Sequence, residues 1–392
     1  MISTEEAIQF IRSNTEPLLK ETVKSLEKSG GYVLFKDVYS PIDMPPFRQS
    51  AMDGYALCLH DDLKYQLIDE IKAGDGHQPI LKPGEAVRIF TGAPVPDSAN
   101  AIMMQEKVKT ENNTIVIEHT IAEGTNIRLQ GEQVKTGGLA LEKGTKLTPA
   151  AIGYLASLGV TKVSVYKKPT IALLTTGNEL IEAGQPLSYG KIYESNATML
   201  QNALYNLKFY DITFHKIEDD YAATVSKLQA IINENDLVIA TGGISVGDYD
   251  FVGKALLELG TKEIFYKVKQ KPGKPLFFGK KDDTLIFALP GNPAAALTCF
   301  YIYVHIALQK MMDREHIELS HIKAKSLSCF EKKGDRPQFL KAIYNAGNVE
   351  ILEGQNSSML QTFALSNALV FVPENVSEIK INDTVETILL PS

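Results

Sequence analysis

One short segment of the chain, residues 241–275, carries glycines, carboxylates and lysines at a spacing that suits a site for phosphate and a metal ion. It opens with the turn TGGISVG at 241–247, and Asp248 and Asp250 follow directly. Glycines let backbone N–H groups approach an anion closely, carboxylates suit a hard cation such as Mg²⁺, and lysines are compact positive charges for an oxyanion. The candidate anion-binding residues are Gly242, Gly243, Ser245 and Gly247 of the turn, with Lys267, Lys269, Lys271 and Lys274 behind it.

The elements that must position this chemistry are four predicted apolar strands, which alternate with helical patterns from residue 170 onward. Such strands predict a parallel sheet covered on both faces, and ligands bind these sheets at the carboxyl ends of the strands. The sequence after each strand is acidic or glycine-rich, which favours a site, although ordinary turns use the same residues. The strands span 171–174, 210–216, 237–240 and 285–289, and the residues that follow them include Glu179, Asp219, Pro290, Gly291 and Asn292.

The lysine-rich stretch has its own pattern, because Lys267, Lys269 and Lys271 alternate with uncharged residues. In an extended segment, this period of two would place all three lysines on one face. A lysine-rich edge strand that resists aggregation explains the same pattern, and the alternation alone favours neither interpretation. The Pro-Gly-Lys-Pro that follows, with the apolar residues 276–278 behind it, favours an anion site at the entrance of a strand.

Two proline- and glycine-rich loops in the first half of the chain, 45–56 and 91–96, are further candidates. They contain Asp53 and Thr91, respectively. Rigid loops of this kind often carry function, but a structural turn is the commoner explanation for each of them. The seven histidines show no metal-ligand spacing, and the chain contains neither a P-loop nor a G-x-G-x-x-G motif.

A chain of 392 residues is too long for one core, and 44% hydrophobic with 22% charged residues predicts a folded multidomain protein. The net charge of −7 argues against nucleic acid or an acidic membrane surface as the main partner. Three separated cysteines exclude a cysteine-based zinc or iron–sulfur site and fit a reducing compartment. The polar N-terminus is unlike a signal peptide, and the apolar stretch 294–308 is shorter than the ~20 residues of a membrane span. We therefore expect a cytoplasmic protein in which 294–308 is a buried helix.

Local patterns predict further elements on either side of the central sheet. An amphipathic helix is expected over 3–29, with an interruption near Pro17 left open, and Ser3 and Glu6 form a capping box at its start. A second helix is expected over 149–158, with a threonine as N-cap and proline at its first position. After about residue 314, short strands separated by turn residues predict a small β-barrel or sandwich.

Six motifs occur in this order along the chain: SAMDGYA, TGAPVP, TGNEL, TGGISVGDYD, KPGKP and PGNP. Together they resemble the MoeA family of molybdopterin molybdenumtransferases, to which the E domain of gephyrin also belongs. The resemblance covers essentially the whole chain. It implies a Mg²⁺-dependent enzyme that cleaves adenylyl-molybdopterin, releases AMP and inserts molybdate into the dithiolene to give molybdenum cofactor.

The resemblance also implies the fold: a multidomain α/β protein with a central doubly wound, mostly parallel α/β domain that binds molybdopterin, mixed α+β N-terminal subdomains and a small C-terminal β-barrel. It implies an elongated homodimer with an active cleft from both protomers and small-molecule substrates. It leaves open contacts with the upstream adenylyltransferase and with cofactor-receiving enzymes. The expected boundaries are 1–45 with 136–167 for a discontinuous dimerisation subdomain, 46–135 for a β-rich subdomain, 168–313 for the molybdopterin-binding domain and 314–392 for the barrel.

The family motifs imply roles for particular residues. Lys267 and Lys271 match the lysines that hold molybdate. The implied catalytic residues are these two lysines, Asp53 and Asp250. The acids grouped around Mg²⁺ correspond to Glu179, Asp219 and Asp250. The implied substrate-binding residues are Thr91, Gly242, Gly243, Ser245, Gly247, Lys274, Pro290, Gly291, Asn292, Arg336 and Ser358.

Three residues depart from the family pattern. Gln133 stands where the family usually has an aspartate, which replaces one site carboxylate by a neutral amide. Asn178 replaces the usual aspartate before Glu179, and Ala294 follows the PGNP motif where serine is common. The amide at 133 leaves open a binding or scaffold protein with a weakened site. A tungstate-specific enzyme of the same fold also stays open, because sequence does not separate two such similar oxyanions.

Overall fold

The computed structural model describes residues 1–217, 220–243, 251–314 and 316–391. The chain forms two compact units: residues 23–165, and residues 1–22 together with 166–392. The predicted subdomain boundaries are finer than this division and stay predictions. The helices are α1 Thr4–Asn14, α2 Pro149–Ser157, α3 Asn196–Asn206, α4 Tyr221–Glu234, α5 Phe251–Glu258, α6 Pro293–Cys299, α7 His305–Met311 and α8 Leu360–Leu365, with a π-helical turn at Phe300–Val304 and short 3₁₀ turns at Leu26–Lys28 and Gln105–Lys107.

The unit of residues 23–165 is built on a six-stranded sheet with the strand order β7-β4-β6-β5-β9-β8. Successive residues of a strand pack on opposite faces of this sheet: Ala56 and Val87 lie on one face, and Tyr55 and Leu57 lie on the other. The strands up to residue 166 are β1 Glu21–Ser25, β2 Val38–Tyr39, β3 Gln49–Ser50, β4 Gly54–Leu57, β5 Lys64–Ile71, β6 Glu85–Ile89, β7 Ala101–Met104, β8 Val108–Glu111, β9 Thr114–Ile117, β10 Ile127–Arg128, β11 Leu139–Leu141 and β12 Lys162–Tyr166.

The second unit contains the predicted central sheet, whose strand order is β16-β13-β17-β20-β19-β18. The first four strands are parallel, and β19 and β18 add an antiparallel edge. The two middle strands β17 and β20 are buried along their whole length, as the apolar sequence predicts. The strands are β13 Ile171–Thr176, β14 Leu180–Ile181, β15 Ile192–Tyr193, β16 Ile212–Ile217, β17 Leu237–Thr241, β18 Lys262–Tyr266, β19 Phe277–Lys281 and β20 Thr284–Leu289.

The C-terminal strands close into a barrel with the order β21-β24-β23-β25-β27, so the barrel and not the sandwich is the correct alternative. Its core contains Leu340, Ala342, Val349 and Val370. The strands are β21 His321–Ser326, β22 Phe330–Glu331, β23 Gln338–Asn345, β24 Asn348–Ile351, β25 Ala368–Val372, β26 Glu378–Ile379 and β27 Thr384–Leu389. The predicted fold class, a multidomain α/β protein with a mostly parallel sheet and a C-terminal barrel, is confirmed.

The helical predictions have mixed outcomes. The stretch 294–308 lies in the buried run α6, π-helical turn and α7, as predicted. Helix α2 begins as predicted, with the hydroxyl of Thr148 accepting a hydrogen bond from the N–H of Ala151. The capping box at Ser3 is present, and α1 ends at Asn14, close to the interruption near Pro17 that the prediction left open. The predicted helix is wrong beyond Pro17, where residues 21–25 form a strand. Pro17 explains the end, because proline disfavours helix at the residue before it.

Among the described residues, no helix is both long and apolar enough to cross a membrane.

Candidate functional site

The four parallel strands of the central sheet end at one edge, as the sequence predicts. Thr176 is level with Ile217, and Thr241 is level with Leu289. This carboxyl edge is therefore where the chemistry after each strand must be sought. Part of it lies outside the described residues, namely 218–219 and 244–250, which include the predicted site residues Asp219, Ser245, Gly247 and Asp250.

The first two glycines of the glycine turn, Gly242 and Gly243, have a backbone conformation that other residues rarely adopt. Gly242 and Gly243 have φ angles of +81° and +67°, a region that side chains disfavour. A Cβ on Gly243 would lie 2.7 Å from Cγ2 of Val252 and 3.0 Å from Oγ1 of Thr176. The backbone after β17 thus packs closely against β13 and α5, and it leaves no room for a side chain at the edge.

Glu179 follows the end of β13 and is exposed at the same edge. Its carboxylate lies against Gly177, where a Cβ would come within 2.5 Å of Oε2. The loop backbone is held by Lys191, whose Nζ donates to the carbonyl of Asn178 at 2.6 Å, and by a bond from Ile192 N–H to the Glu179 carbonyl at 2.9 Å. In the described part of the chain, no basic side chain pairs with Glu179, so its carboxylate is open to a cation.

The PGNP loop leads from β20 into α6 and is fastened at both ends. Nδ2 of Asn196 donates to the carbonyl of Gly291 at 2.8 Å. Nδ2 of Asn292 donates to Oγ of Ser357 at 2.9 Å, and the Ser357 carbonyl accepts from Ala295 N–H at 3.2 Å. The predicted site residue is Ser358, and the structure brings its neighbour Ser357 to this loop. No local pattern marks Ser357 or Asn196, because both contacts join distant segments.

The lysine loop, residues 267–276, emerges at the same edge. Tyr266 pairs with Phe277, and Phe277 pairs with Ala288 near the end of β20, so the loop that joins β18 to β19 lies at the carboxyl edge. Lys267 has φ +69°, and the segment is not a strand. The condition for the predicted single lysine face, an extended segment, is therefore not met over this stretch.

The burial of the lysine loop nevertheless alternates. Val268 and Gln270 are fully buried, whereas the lysines between and beside them reach solvent. Nζ of Lys267 lies 4.6 Å from the ring centroid of Tyr266, a cation–π contact. The alternation thus directs the lysines outward, although no regular strand is present.

Lys269 differs from its neighbours because two carboxylates hold it. Its Nζ lies 2.6 Å from Oε1 of Glu374 and 3.5 Å from Oδ2 of Asp335. The hydrogen bond to Glu374 is the main cause that raises the pKa of Lys269 above its ordinary value. Across the described ranges, no carboxylate pairs with Lys267, Lys271 or Lys274, so these three ammonium groups are the ones open to an anion.

Arg336 comes to the lysine loop from the barrel side. Its Nη1 donates to the carbonyl of Gln270 at 3.1 Å. The next residues of the same segment pair with Lys271: Lys271 N–H donates to the Pro337 carbonyl, and Phe339 N–H donates to the Lys271 carbonyl, both at 2.9 Å. The structure thus brings a predicted anion-binding arginine to the backbone beside Lys271.

Asp53 and Thr91 meet within the unit of residues 23–165. Oδ1 of Asp53 accepts hydrogen bonds from the backbone N–H and from the hydroxyl of Thr91, both at 2.8 Å. These two bonds lower the pKa of Asp53 below its ordinary value. Gly54 must be glycine, because a Cβ would lie 2.0 Å from the carbonyl oxygen of Met103. The two candidate loops are therefore one joined structure, and Asp53 holds them together.

Gln133 lies in the same unit as Asp53. Its N–H donates to the carbonyl of Met44 at 2.9 Å, and its side chain is exposed. A neighbouring carboxylate, Asp43, accepts two bonds from Thr136 and one from Gln130. Only the backbone of Gln133 takes part in this turn, so an aspartate would fit at 133 without rearrangement.

Of the three residues predicted to bind the metal ion, Glu179 alone lies in the described part of the chain. Within the residues that the structure describes, no three His, Cys, Asp or Glu side chains come together as a metal site, and Asp219 and Asp250 lie outside them. Glu179 supplies an exposed carboxylate, which fits the oxygen ligands that Mg²⁺ prefers.

His305 is buried, and its pKa is lowered to about 4 mainly by burial, so this residue is a neutral structural histidine.

Family models match three parts of the chain. They describe the MoeA N-terminal region (domain I and II) over residues 2–159, a "Probable molybdopterin binding domain" over 172–310 and the MoeA C-terminal region (domain IV) over 323–390.

Two relatives and one solved structure resemble the chain over nearly its whole length. The molybdopterin molybdenumtransferase of Staphylococcus epidermidis is 33% identical over 405 residues, which cover 100% of this chain and 96% of the relative. The enzyme of the same name from Haemophilus influenzae is 34% identical over 371 residues, 92% of each chain. The crystal structure of a molybdopterin biosynthesis MoeA protein from Pyrococcus horikoshii OT3 has a TM-score of 0.84 at 29% identity and covers 99% of this chain and 100% of that one.

The fold and these relatives define a class of transferase. The chain belongs to the MoeA family, as its six motifs predict, and the predicted enzyme class is that of its named relatives.

Proposed function

We propose that this chain is a molybdenum insertase, which cleaves adenylyl-molybdopterin, releases AMP and inserts molybdate into the molybdopterin dithiolene to give molybdenum cofactor. The observation that carries the proposal is that the lysines of the lysine loop differ in whether a carboxylate pairs with them. Lys269 is neutralised by Glu374 and Asp335, whereas no described carboxylate pairs with Lys267 or Lys271. Two lysines without a carboxylate partner, beside the glycine turn at the carboxyl edge of the sheet, suit the binding of an oxyanion in a protein whose net charge is negative.

The chain's own groups have distinct tasks in this proposal. Lys267 and Lys271 bind molybdate as point charges next to the dithiolene. Arg336, which donates to the carbonyl of Gln270, and the exposed Lys274 hold further negative charge. The N–H groups of the glycine turn and the PGNP loop hold the phosphate of the substrate. Tight packing at Gly243 supports this task, because it exposes backbone in place of side chains.

Glu179, Asp219 and Asp250 are the residues that would hold Mg²⁺, of which Glu179 is described and exposed. When bound, Mg²⁺ neutralises charge on the phosphoanhydride that is broken. The proposal further includes a cytoplasmic homodimer with a cleft from both protomers, as the family resemblance implies. It keeps Asp53 as the acid of the SAMDGYA loop.

The test is AMP release from adenylyl-molybdopterin with Mg²⁺, with molybdate, with tungstate and with neither, for the native chain and for Gln133→Asp. Because the side chain of Gln133 is exposed, the variant should fold as the native chain does. Molybdate-dependent release by the native chain would support the insertase and show that the amide is tolerated. Release only by the variant would favour the scaffold alternative. Release that tungstate stimulates and molybdate does not would favour a tungstate enzyme, and release by neither protein would refute the proposal.

A further inference from the structure

Gln270 lies at the base of the lysine loop and is fully buried. Its Nε2 donates hydrogen bonds to the carbonyl oxygens of Pro272 at 3.0 Å and Gly273 at 3.2 Å. Its Oε1 accepts a hydrogen bond from the hydroxyl of Tyr303, a residue of the buried π-helical turn. The carboxamide therefore uses both of its chemical functions, and it ties the turn that follows Lys271 to the interior of the unit.

The turn can wrap closely around this carboxamide because residue 273 is glycine. Gly273 has φ +86°, and a Cβ there would lie 2.5 Å from Sγ of Cys299 and 2.9 Å from Nε2 of Gln270. Cys299 is buried, and burial raises the pKa of its thiol to about 12. The thiol is therefore an uncharged packing group behind the turn, not a nucleophile.

Lys271, which directly follows Gln270, is fixed through its backbone alone. Its N–H and its carbonyl are both bonded to barrel backbone, at Pro337 and Phe339, and the preceding carbonyl is bonded to Arg336. Its side chain is exposed. The residue is thus held on both sides along the chain, while its ammonium group extends into solvent at the carboxyl edge.

We propose that Gln270 is a positioning residue of the oxyanion site, which sets the affinity for molybdate by holding the turn that directly follows Lys271. The inference rests on the proposed function, since it concerns the oxyanion of that reaction. A fixed ammonium group binds an anion without first losing the freedom of its backbone, so preorganisation raises affinity.

An amide is required at 270 because the position needs donors and an acceptor together. A glutamate of the same shape could accept from Tyr303, but as a carboxylate it would donate to neither Pro272 nor Gly273, and as a protonated carboxyl it would donate one hydrogen bond where the amide donates two. At least one of the two carbonyls would lose its amide donor, in a bond that is buried at Gly273 and partly buried at Pro272. Leaving one partner of a bond unpaired costs more than removing both partners at once. Gln270→Glu therefore changes the function of the side chain with almost no change in volume.

The experiment compares Gln270→Glu and Tyr303→Phe with the native chain. The measurements are KM for molybdate and kcat for AMP release, with molybdate binding by equilibrium dialysis and thermal unfolding beside them. Gln229→Glu is the matched control, because Gln229 also uses both amide atoms, with Asn233 and Lys281, but on helix α4 away from the lysine loop.

We expect Gln270→Glu to raise KM for molybdate by at least about tenfold with a much smaller change in kcat. Tyr303→Phe should shift KM in the same direction by less, and the control should leave KM unchanged. A folded Gln270→Glu protein with native KM would overturn the inference, as would a fall in kcat with KM unchanged. If Gln270→Glu does not fold, Tyr303→Phe decides in the same way.

The failure of this inference is distinguishable from the failure of the proposed function. If the native chain binds molybdate but releases no AMP, the proposed turnover fails and the dissociation constant replaces KM in the comparison. If the native chain neither binds molybdate nor releases AMP, the proposed function is refuted, and the inference falls with it.

Discussion

Nζ of Lys269 lies 2.6 Å from Oε1 of Glu374, which belongs to a segment 105 residues further along the chain. Lys332 fixes that segment in turn, because its Nζ donates to the carbonyls of Pro373 and Glu374. Glu374 is therefore held in place to receive Lys269. The pairing separates three lysines that look equivalent in the sequence into one structural cation and two that are open to an anion.

The first prediction follows from this separation. Lys271→Ala should lower the rate of molybdate-dependent AMP release by about a hundredfold, the loss typical when one charge-stabilising group leaves a site. Lys269→Ala should have a much smaller effect, since its charge is already neutralised by Glu374 and Asp335. The measurement is turnover at saturating and at low molybdate, with thermal unfolding as the check on folding.

Lys262→Ala is the control for this pair, because Lys262 is exposed at the start of β18, one full strand away from the lysine loop. Equal losses for Lys269→Ala and Lys271→Ala would contradict the assignment. Unchanged turnover in Lys271→Ala would remove this lysine from the site.

The second prediction concerns Gly243. Gly243→Ala should destabilise the protein by more than about 1–2 kcal/mol, because a side chain at positive φ is strained and its Cβ would contact Val252 at 2.7 Å. It should also abolish AMP release, since the backbone at the edge must shift. Urea unfolding and turnover measure the two effects.

Gly153→Ala is the matched change in the middle of helix α2. A Cβ there meets no described atom within 4 Å, and alanine should stabilise the helix by up to about 1 kcal/mol. If both glycines tolerate alanine equally, the packing argument at Gly243 is wrong.

The sequence carries the elements of the fold and the parts of the site that are local. Apolar runs at 237–240 and 285–289 predict buried strands, which the structure contains with one more residue each, and the turns that follow them predict the edge where ligands bind. The glycine turn after residue 240 is visible in the same way, and its first two glycines, Gly242 and Gly243, have positive φ. The main error is helix beyond Pro17, because the amphipathic spacing continues to residue 29, whereas α1 ends at Asn14 and residues 21–25 form a strand.

The rest of the site depends on contacts between distant segments, which no local pattern encodes. Gln270 reads as a polar spacer between lysines, and its role appears only when Tyr303 and Gly273 surround it. Ser357 reads as a loop serine until Asn292 is found 2.9 Å away. Periodicity predicts which face a residue takes, and tertiary structure decides what it meets there.

The third prediction concerns the pH dependence of the Asp53–Thr91 junction. The pKa of Asp53 is lowered by the two bonds from Thr91, so the unfolded state binds a proton more readily than the folded state. The stabilisation is therefore present above the ordinary carboxyl pKa and is lost as pH falls through the lowered pKa. Asp53→Asn should reduce the unfolding temperature at neutral pH, and this difference from the native chain should shrink in acid.

Asp61→Asn is the control, because Asp61 is an exposed carboxylate of the same unit. Thermal unfolding across the acid range is the measurement. A difference between native and Asp53→Asn proteins that stays constant with pH would show that the Thr91 bonds do not depend on the charge.

The fourth prediction concerns Lys341, a buried lysine of β23 that neither motif nor pattern marks. Its Nζ donates to the carbonyls of Gly354 at 2.8 Å, Asn356 at 3.1 Å and Met359 at 3.1 Å. These bonds shape the segment that presents Ser357 to Asn292 at the PGNP loop. Lys341→Met should destabilise the protein by about 1–3 kcal/mol at neutral pH, because buried carbonyls lose their donor.

Burial lowers the pKa of Lys341 to about 8, against an ordinary value of 10.5. Between pH 8 and pH 10.5 the unfolded state binds more protons than the folded state, so the stability of the native chain should rise with pH across this range. Below pH 8 the folded chain carries the full free-energy cost of burying the charged ammonium group. Lys341→Met lacks this group, so the difference in unfolding free energy between the two proteins should grow from pH 8 upward. Urea unfolding at a series of pH values tests the sign. If the difference in unfolding free energy does not change with pH, the pKa of Lys341 is the same in the folded and unfolded states. The hydrogen bonds to the three carbonyls would then offset the effect of burial on its charge.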